Sequence, residues 1–244
     1  MGIMRNSTPI ALFNMNGNMK VNAPVFNTLY GDMIHHIDYH GHVFDCTGTC
    51  GEYCKACVHS CYCKKSAWRP NVKYSQGCNT LAIRENPYNA CCSLIDQLKR
   101  TKKEVPYIRW HASGEFESMS EWMIVKEIAK QFPKTTIYTY TKNFELFEHM
   151  LSTVGLYTNV TVNFSIWHEV GIKEFHKYGY MPNVKAFVYD DHTFDYESHG
   201  IIGTTSCKAY NENGKLDHSI TCGGTCKKCM YCSKASKVIM CNDH

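Results

Sequence analysis

From Tyr107 to Asp191 the apolar and polar positions of the chain alternate in blocks. Runs of period two begin at Tyr107 (YIRWHA), Thr135 (TTIYTYT), Asn159 (NVTVNFSIW) and Val184 (VKAFVYDD). Between the first two runs, Trp122, Val125, Ile128, Ala129 and Phe132 recur at helical spacing within Ser120 to Phe132, and Ser118 and Glu121 stand as a capping box. Phe144, Phe147, Met150, Leu151 and Val154 repeat the pattern in a segment ending at Gly155. Strands alternating with helices at this interval predict an α/β protein with a parallel sheet, open or rolled into a partial (βα) barrel. A further strand is expected at Ile201-Ile202-Gly203, an earlier one within Val25 to Phe44, and one long helix over Asn79 to Arg100.

The two faces of these strands differ in kind. Val160, Val162, Phe164 and Ile166 alternate with Thr161, Asn163, Ser165 and Trp167, and Ile108, Trp110 and Ala112 alternate with Arg109, His111 and Ser113. If the apolar set packs under the helices, Arg109, His111, Thr139, Thr141, Asn163 and Ser165 face the interior. A barrel lumen is ordinarily filled by aliphatic side chains. Polar groups there need partners, which predicts a bound ligand with His111, Asn163 and Ser165 lining its cavity. The alternative is a sheet with one wet face.

Cysteine changes the picture more than charge does. The 244 residues carry a formal net charge of only +4, so electrostatics do not indicate nucleic acid, although they leave it open. A chain this long can bury a core without covalent staples. Its 15 cysteines are nevertheless crowded into Cys46 to Cys63 and Cys207 to Cys241, with Cys78 and the Cys91-Cys92 pair between them, expected as packed small hydrophobes. The sequence predicts no secretory leader and no membrane span, so a cytoplasmic protein with reduced thiols is expected. Thiolates two or three residues apart bind soft metals. Cys226, Cys229 and Cys232 follow a ferredoxin-like spacing with Cys207 as fourth ligand, Cys222 and Cys241 competing for that place. In the front loop the triplets Cys50-Cys54-Cys57 and Cys50-Cys57-Cys61 overlap, and either leaves one iron of a [4Fe-4S] cluster open; zinc is the alternative metal. The domain reading is a barrel domain over 1–205 with a cluster loop at 46–63, then a cysteine-rich auxiliary segment over 206–244.

Cys50, Cys57 and Cys61-Tyr62, then IRWHASGEFES, IYTYTKN, Cys207 and CKKCMYC, together resemble the phage gene product 88 family from about Cys50 to Cys232. The resemblance implies iron-sulfur ligands at Cys50, Cys57 and Cys61 in front and at Cys207, Cys226, Cys229 and Cys232 behind. The chain departs from that pattern in its extra cysteines at Cys46, Cys54, Cys63 and Cys222, and in Glu115 where the family tends to have aspartate. A more distant resemblance is to the radical S-adenosylmethionine superfamily. There the cluster loop follows the first barrel strand, and a Gly-Gly-Glu-like turn after the second receives the methionine amino group. Ser113-Gly114-Glu115 occupies that place in order, which implies a cofactor contact at all three residues.

The function expected on this basis is reductive cleavage of S-adenosylmethionine at the front cluster, followed by hydrogen abstraction from a substrate. Two [4Fe-4S] clusters and a small electron donor such as flavodoxin or ferredoxin go with it. The alternatives are a metal-binding protein with closed clusters that grips nucleic acid or a protein partner, and an electron carrier. Secondary candidates are His35, His36, His40 and His42 near the front loop, Asp190-Asp191-His192 after the Val184 strand, and Tyr62 and Trp68 as shields of the cluster.

Overall fold

The structure is a computed structural model that describes residues 2–17, 23–57, 61, 63–64, 69–190, 193–201, 205–206, 233 and 238–242. The chain opens with two short antiparallel strands, β1 (Ile3–Arg5) and β2 (Thr8–Ile10), and then β3 (Val25–Phe26). An antiparallel hairpin follows, β4 (Ile34–Tyr39) and β5 (His42–Thr47). Its two-residue turn, His40-Gly41, has positive φ at both positions (49° and 80°), the geometry that matches the twist of paired strands. A 3-10 turn at Gly51–Cys57 carries the first cysteines.

The long helix expected over Asn79 to Arg100 is two helices, α1 (Pro70–Glu85) and α2 (Pro87–Lys99). Pro87 lacks the N–H that a continuous helix needs, and Asn86 instead caps the second helix by accepting from Asn89 N at 3.0 Å. Beyond them lie β6 (Tyr107–Trp110), α3 (Met119–Gln131), β7 (Thr136–Thr141), α4 (Phe144–Thr153), β8 (Val160–Trp167), α5 (Ile172–Tyr178) and β9 (Val184–Asp190). The last strands are β10 (Thr205–Ser206), a few residues later than the Ile201 strand expected, and β11 (Val238–Asn242).

Seven strands form one sheet in the order β10-β11-β9-β8-β7-β6-β3, parallel at every pairing. Among the described residues the sheet is open, with β3 and β10 as its edges. Alternation on β8 is as expected, with Val160, Val162, Phe164 and Ile166 in the main core beside Phe147, Met150 and Ile128 of the helices. The opposite face is also buried, Asn163 at 0% exposure and Lys185 at 3%, so the reading of a wet face does not hold at these positions. Among the described residues no helix is long and apolar enough to cross a membrane.

Register corrects three interior positions. Thr139 and Thr141 pair with Val162 and Phe164, so they share the helix-covered face; Tyr138 and Tyr140 pair with Thr161 and Asn163 on the other. Arg109 pairs with Tyr138 and stands with that second set, its guanidinium 4.8 Å from the Tyr140 ring. His111 leaves it. β6 ends at Trp110, and His111 takes φ +56°, which turns its ring into the aromatic cluster of Phe26, Trp110 and Phe116. There His111 Nε2 lies 2.8 Å from Glu121 Oε1, which also accepts from Trp110 Nε1 at 3.0 Å. Glu121 is thereby drawn inward, and the capping box with Ser118 does not form. The N-terminal segment is stitched to the helices by two amides. Asn79 accepts from Leu12 N and donates to the carbonyls of Leu12 and Asn27, and Gln97 exchanges both bonds with Phe13.

A cysteine loop over the carboxyl ends of parallel strands

Backbone hydrogen bonds lay the front loop along the segment that leaves β3. Thr49 N donates to Leu29 O and Cys50 N to Gly31 O, both at 2.9 Å, while Gly31 N donates to Cys50 Sγ at 3.2 Å. Arg84 of α1 fixes the approach, holding Glu117 with two nitrogens at 2.7 and 2.6 Å and bonding the carbonyls of Thr47 and Gly48. A planar fork suits this task because it meets a carboxylate and two carbonyls at once.

The Ser113-Gly114-Glu115 turn lies directly beneath. Asn27 Oδ1 accepts from Ala112 N and Ser113 N, and Thr28 N donates to Ser113 O. Gly114 has φ +88°, and a Cβ there would sit 1.9 Å from Thr28 Oγ1 and 2.8 Å from Thr49 Oγ1. The glycine therefore serves a close contact between two loops of the protein itself. Thr49 Oγ1 accepts from Glu115 N, donates to Leu29 O and meets Thr28 Oγ1 at 2.9 Å. Glu115 is 3% exposed, and each of its oxygens accepts a backbone N–H: Oε1 from Phe116 at 2.9 Å, Oε2 from Lys142 at 2.7 Å. Its carboxylate thus ties the loop after β6 to the loop after β7. Among the described residues the Ser113 hydroxyl is buried without a hydrogen-bond partner.

Lys142, just past β7, was not singled out by the sequence and sits at the centre of this arrangement. Burial works to lower the pKa of its ammonium, but Cys57, Glu115, Cys50 and Cys61 outweigh that and hold it raised. Asn143 locks the same junction, capping α4 by accepting from Leu146 N, donating to Phe116 O and accepting from the Tyr53 hydroxyl of the 3-10 turn at 2.9 Å. The carboxyl ends of β3, β6 and β7 therefore meet under the cysteines.

Cys63 donates to Ala112 O at 3.6 Å, and Cys57, Cys61 and Cys63 lie near enough to act on one another's titration. The neighbouring Cys61, and then burial, push the Cys57 thiol up, while the positive charge of Lys142 opposes them. Burial and then Glu115 push Cys50 up to about 12, with Lys142 and the Gly31 N–H opposing. Cys54 stands apart: burial and a hydrogen bond to Asp32 raise it. Among the described residues no group of three or more His, Cys, Asp or Glu is arranged to hold a metal ion. What the loop supplies is soft sulfur donors, one of which, Cys50 Sγ, accepts an N–H from Gly31.

The remaining candidates fall as follows. Cys207, Cys222, Cys226, Cys229 and Cys232 lie outside the described residues, as do Tyr62, Trp68, Asp191 and His192. Asn163 and Ser165 are on the buried second face of β8, where Asn163 Nδ2 donates to Thr139 O. His35 bonds Tyr30 O and His36 pairs with Asp45 on the hairpin, ordinary roles in both cases. Cys78 is buried in a second core with Leu29, Ile37 and Tyr74; Cys91 packs on the main core, whereas Cys92 is exposed.

Fold and loop together define a parallel α/β protein with a thiol-rich loop seated on the carboxyl edge of its sheet. Within that class, the model of one family, gene product 88, matches residues 17–235, and the chain belongs to that family. No curated protein and no solved structure matches it.

Proposed function

We propose that this chain is an iron-sulfur enzyme of the radical S-adenosylmethionine type, with its parallel sheet as a partial (βα) barrel and its front [4Fe-4S] cluster on Cys50, Cys57 and Cys61. The observation that carries this reading is the seating of the cysteine loop over the carboxyl ends of β3, β6 and β7, the edge at which open α/β sheets bind ligands. Cys54, bonded to Asp32, is left out of the trio. Such a cluster, when bound with one iron open, supplies the single electron that cleaves the carbon-sulfur bond of S-adenosylmethionine and so starts hydrogen abstraction from the substrate.

The chain's own part is to hold the loop on the sheet through Arg84, Thr49 and Glu115, and to place the Gly31 N–H against the Cys50 sulfur. A second [4Fe-4S] cluster is proposed on Cys207, Cys226, Cys229 and Cys232, with a small flavodoxin-like or ferredoxin-like protein as the electron donor. One observation favours a second reading. Both Glu115 oxygens already accept backbone N–H groups, which limits what that carboxylate can offer the ammonium of S-adenosylmethionine to its remaining lone pairs. On the second reading both clusters are closed metal-thiolate scaffolds, of iron or zinc, in a protein that binds nucleic acid or a protein partner.

Anaerobic purification of the full chain separates the two. A brown protein with about eight irons, whose reduced EPR signal changes on adding S-adenosylmethionine, supports the enzyme; a colourless zinc protein ends it. Replacing Cys61 by Ala is expected to remove the front iron and Cys54 by Ala to leave it, and the reverse outcome would reassign the third ligand.

A further inference from the structure

We infer that the polar face of the sheet, opposite the helices, is the docking surface for the chain's own cysteine-rich connection, residues 207–237. The inference does not depend on whether those cysteines bind metal. It follows from strand order. Along the sheet from β3 through β6, β7, β8 and β9 to β10, each connection contributes to the main core: Ile83 and Leu94 between β3 and β6, Ile128, Phe147 and Tyr178 from α3, α4 and α5, and Ile201 before β10. Right-handed crossovers between parallel strands stay on one face while the order advances and change face where it turns back. It turns back once. β11 lies between β10 and β9, parallel to both. The chain that leaves Ser206 and re-enters the sheet at Val238 is longer than the about a dozen residues a parallel crossover needs. With the hand found in roughly 98% of such units, it crosses the face away from the helices.

Burial and composition agree with that path. Register places Tyr138, Tyr140, Thr161, Asn163, Lys185 and Phe187 together on this face. Tyr138, Thr161, Asn163 and Lys185 are buried although the helices lie on the other side, so polypeptide must lie over them. Ser233, within the connection, is buried as well, as a segment packed on the body of the protein requires. Between residues 207 and 237 the large aliphatic side chains are Leu216, Ile220 and Met230. That is too few to bury an apolar sheet face. A polar face suits such a segment, whose backbone and polar side chains supply the partners that buried amide, ammonium and phenol groups need. The polar alternation of β7, β8 and β9 is thereby explained by an occupant from the same chain.

The test places the photo-crosslinking residue p-benzoylphenylalanine in the full chain, at Tyr140 or at Phe187, partly buried rings that meet at 5.2 Å on this face. Tyr88, exposed on α2, is the control position. Illumination, digestion and mass spectrometry then read which peptide each ring has joined. Peptides from 207–237 of the same chain are expected to be the main partners of positions 140 and 187 and to be missing from position 88. Either variant alone carries the test should the other not fold. Links only to other parts of the chain, links only to a second copy, or no link from a folded variant overturn the inference. Capture of 207–237 from position 88 as strongly as from 140 and 187 overturns it too, because the segment is then not confined to one face.

Discussion

Replacing Gly114 by Ala tests whether the turn beneath the cysteine loop is a packing device. The new methyl would lie 1.9 Å from Thr28 Oγ1, 2.8 Å from Thr49 Oγ1 and 3.0 Å from Thr28 Cβ. Relief requires Thr28 to move and break its contact with Thr49, and Thr49 in turn holds Glu115 N and Leu29 O. Holding an L-residue at φ +88° adds about 1–2 kcal/mol of strain, and each buried hydrogen bond broken adds about 1–3 kcal/mol. With two such bonds lost the sum is about 3–8 kcal/mol, a large part of the stability of an ordinary domain. For a chain of this length the melting temperature should fall by about 10 °C or more. Thermal unfolding of the metal-free chain measures it. The double variant with Thr28→Ala removes the closest atom, so its cost should be less than the sum of the single costs. Melting of the Gly114→Ala chain within about 3 °C of the parent would refute the packing argument and return the glycine to a role in ligand approach.

Asn79→Ala removes three hydrogen bonds that anchor Leu12 and Asn27, and is expected to cost about 3 kcal/mol in urea titration, more than Gln97→Ala at its half-buried site. Stability of the metal-free chain should be level up to about pH 9 and fall above it. Burial raises Cys78 from 9.0 to about 12, and Cys46 and Cys91 from 9.0 to about 11. The native state therefore keeps protons that the unfolded chain releases above that pH, and stability declines as pH rises toward 11–12. Denaturant midpoints at pH 7, 9 and 10.5 check the sign, and a midpoint that rises across this range would contradict it. Arg84→Met should loosen the loop, seen as faster protease cleavage between β5 and α1, because Thr47 O, Gly48 O and Glu117 lose their common donor.

Local pattern alone determined much of this protein. Four parallel strands and two of the helices between them are legible because period two and period 3.6 are written in neighbouring residues, and a cysteine every few positions marks the loop in any fold. The break at Asn86-Pro87 was equally local and could have been read from the proline. What the tertiary structure decided depends on residues far apart in the chain. β7 carries Thr, Ile and Tyr on both faces, so only its pairing with β8 assigns Thr139 and Thr141 to the helix side. One residue of positive φ moves His111 from the expected cavity to Glu121, and in doing so takes Glu121 from its cap. Thr49, Asn27 and Arg84 had no motif to mark them, and Lys142 stood inside IYTYTKN with no role assigned to it. They matter because loop ends separated by up to about a hundred positions are brought within hydrogen-bonding range, and that closeness is set by strand order and register, which side-chain type does not encode locally.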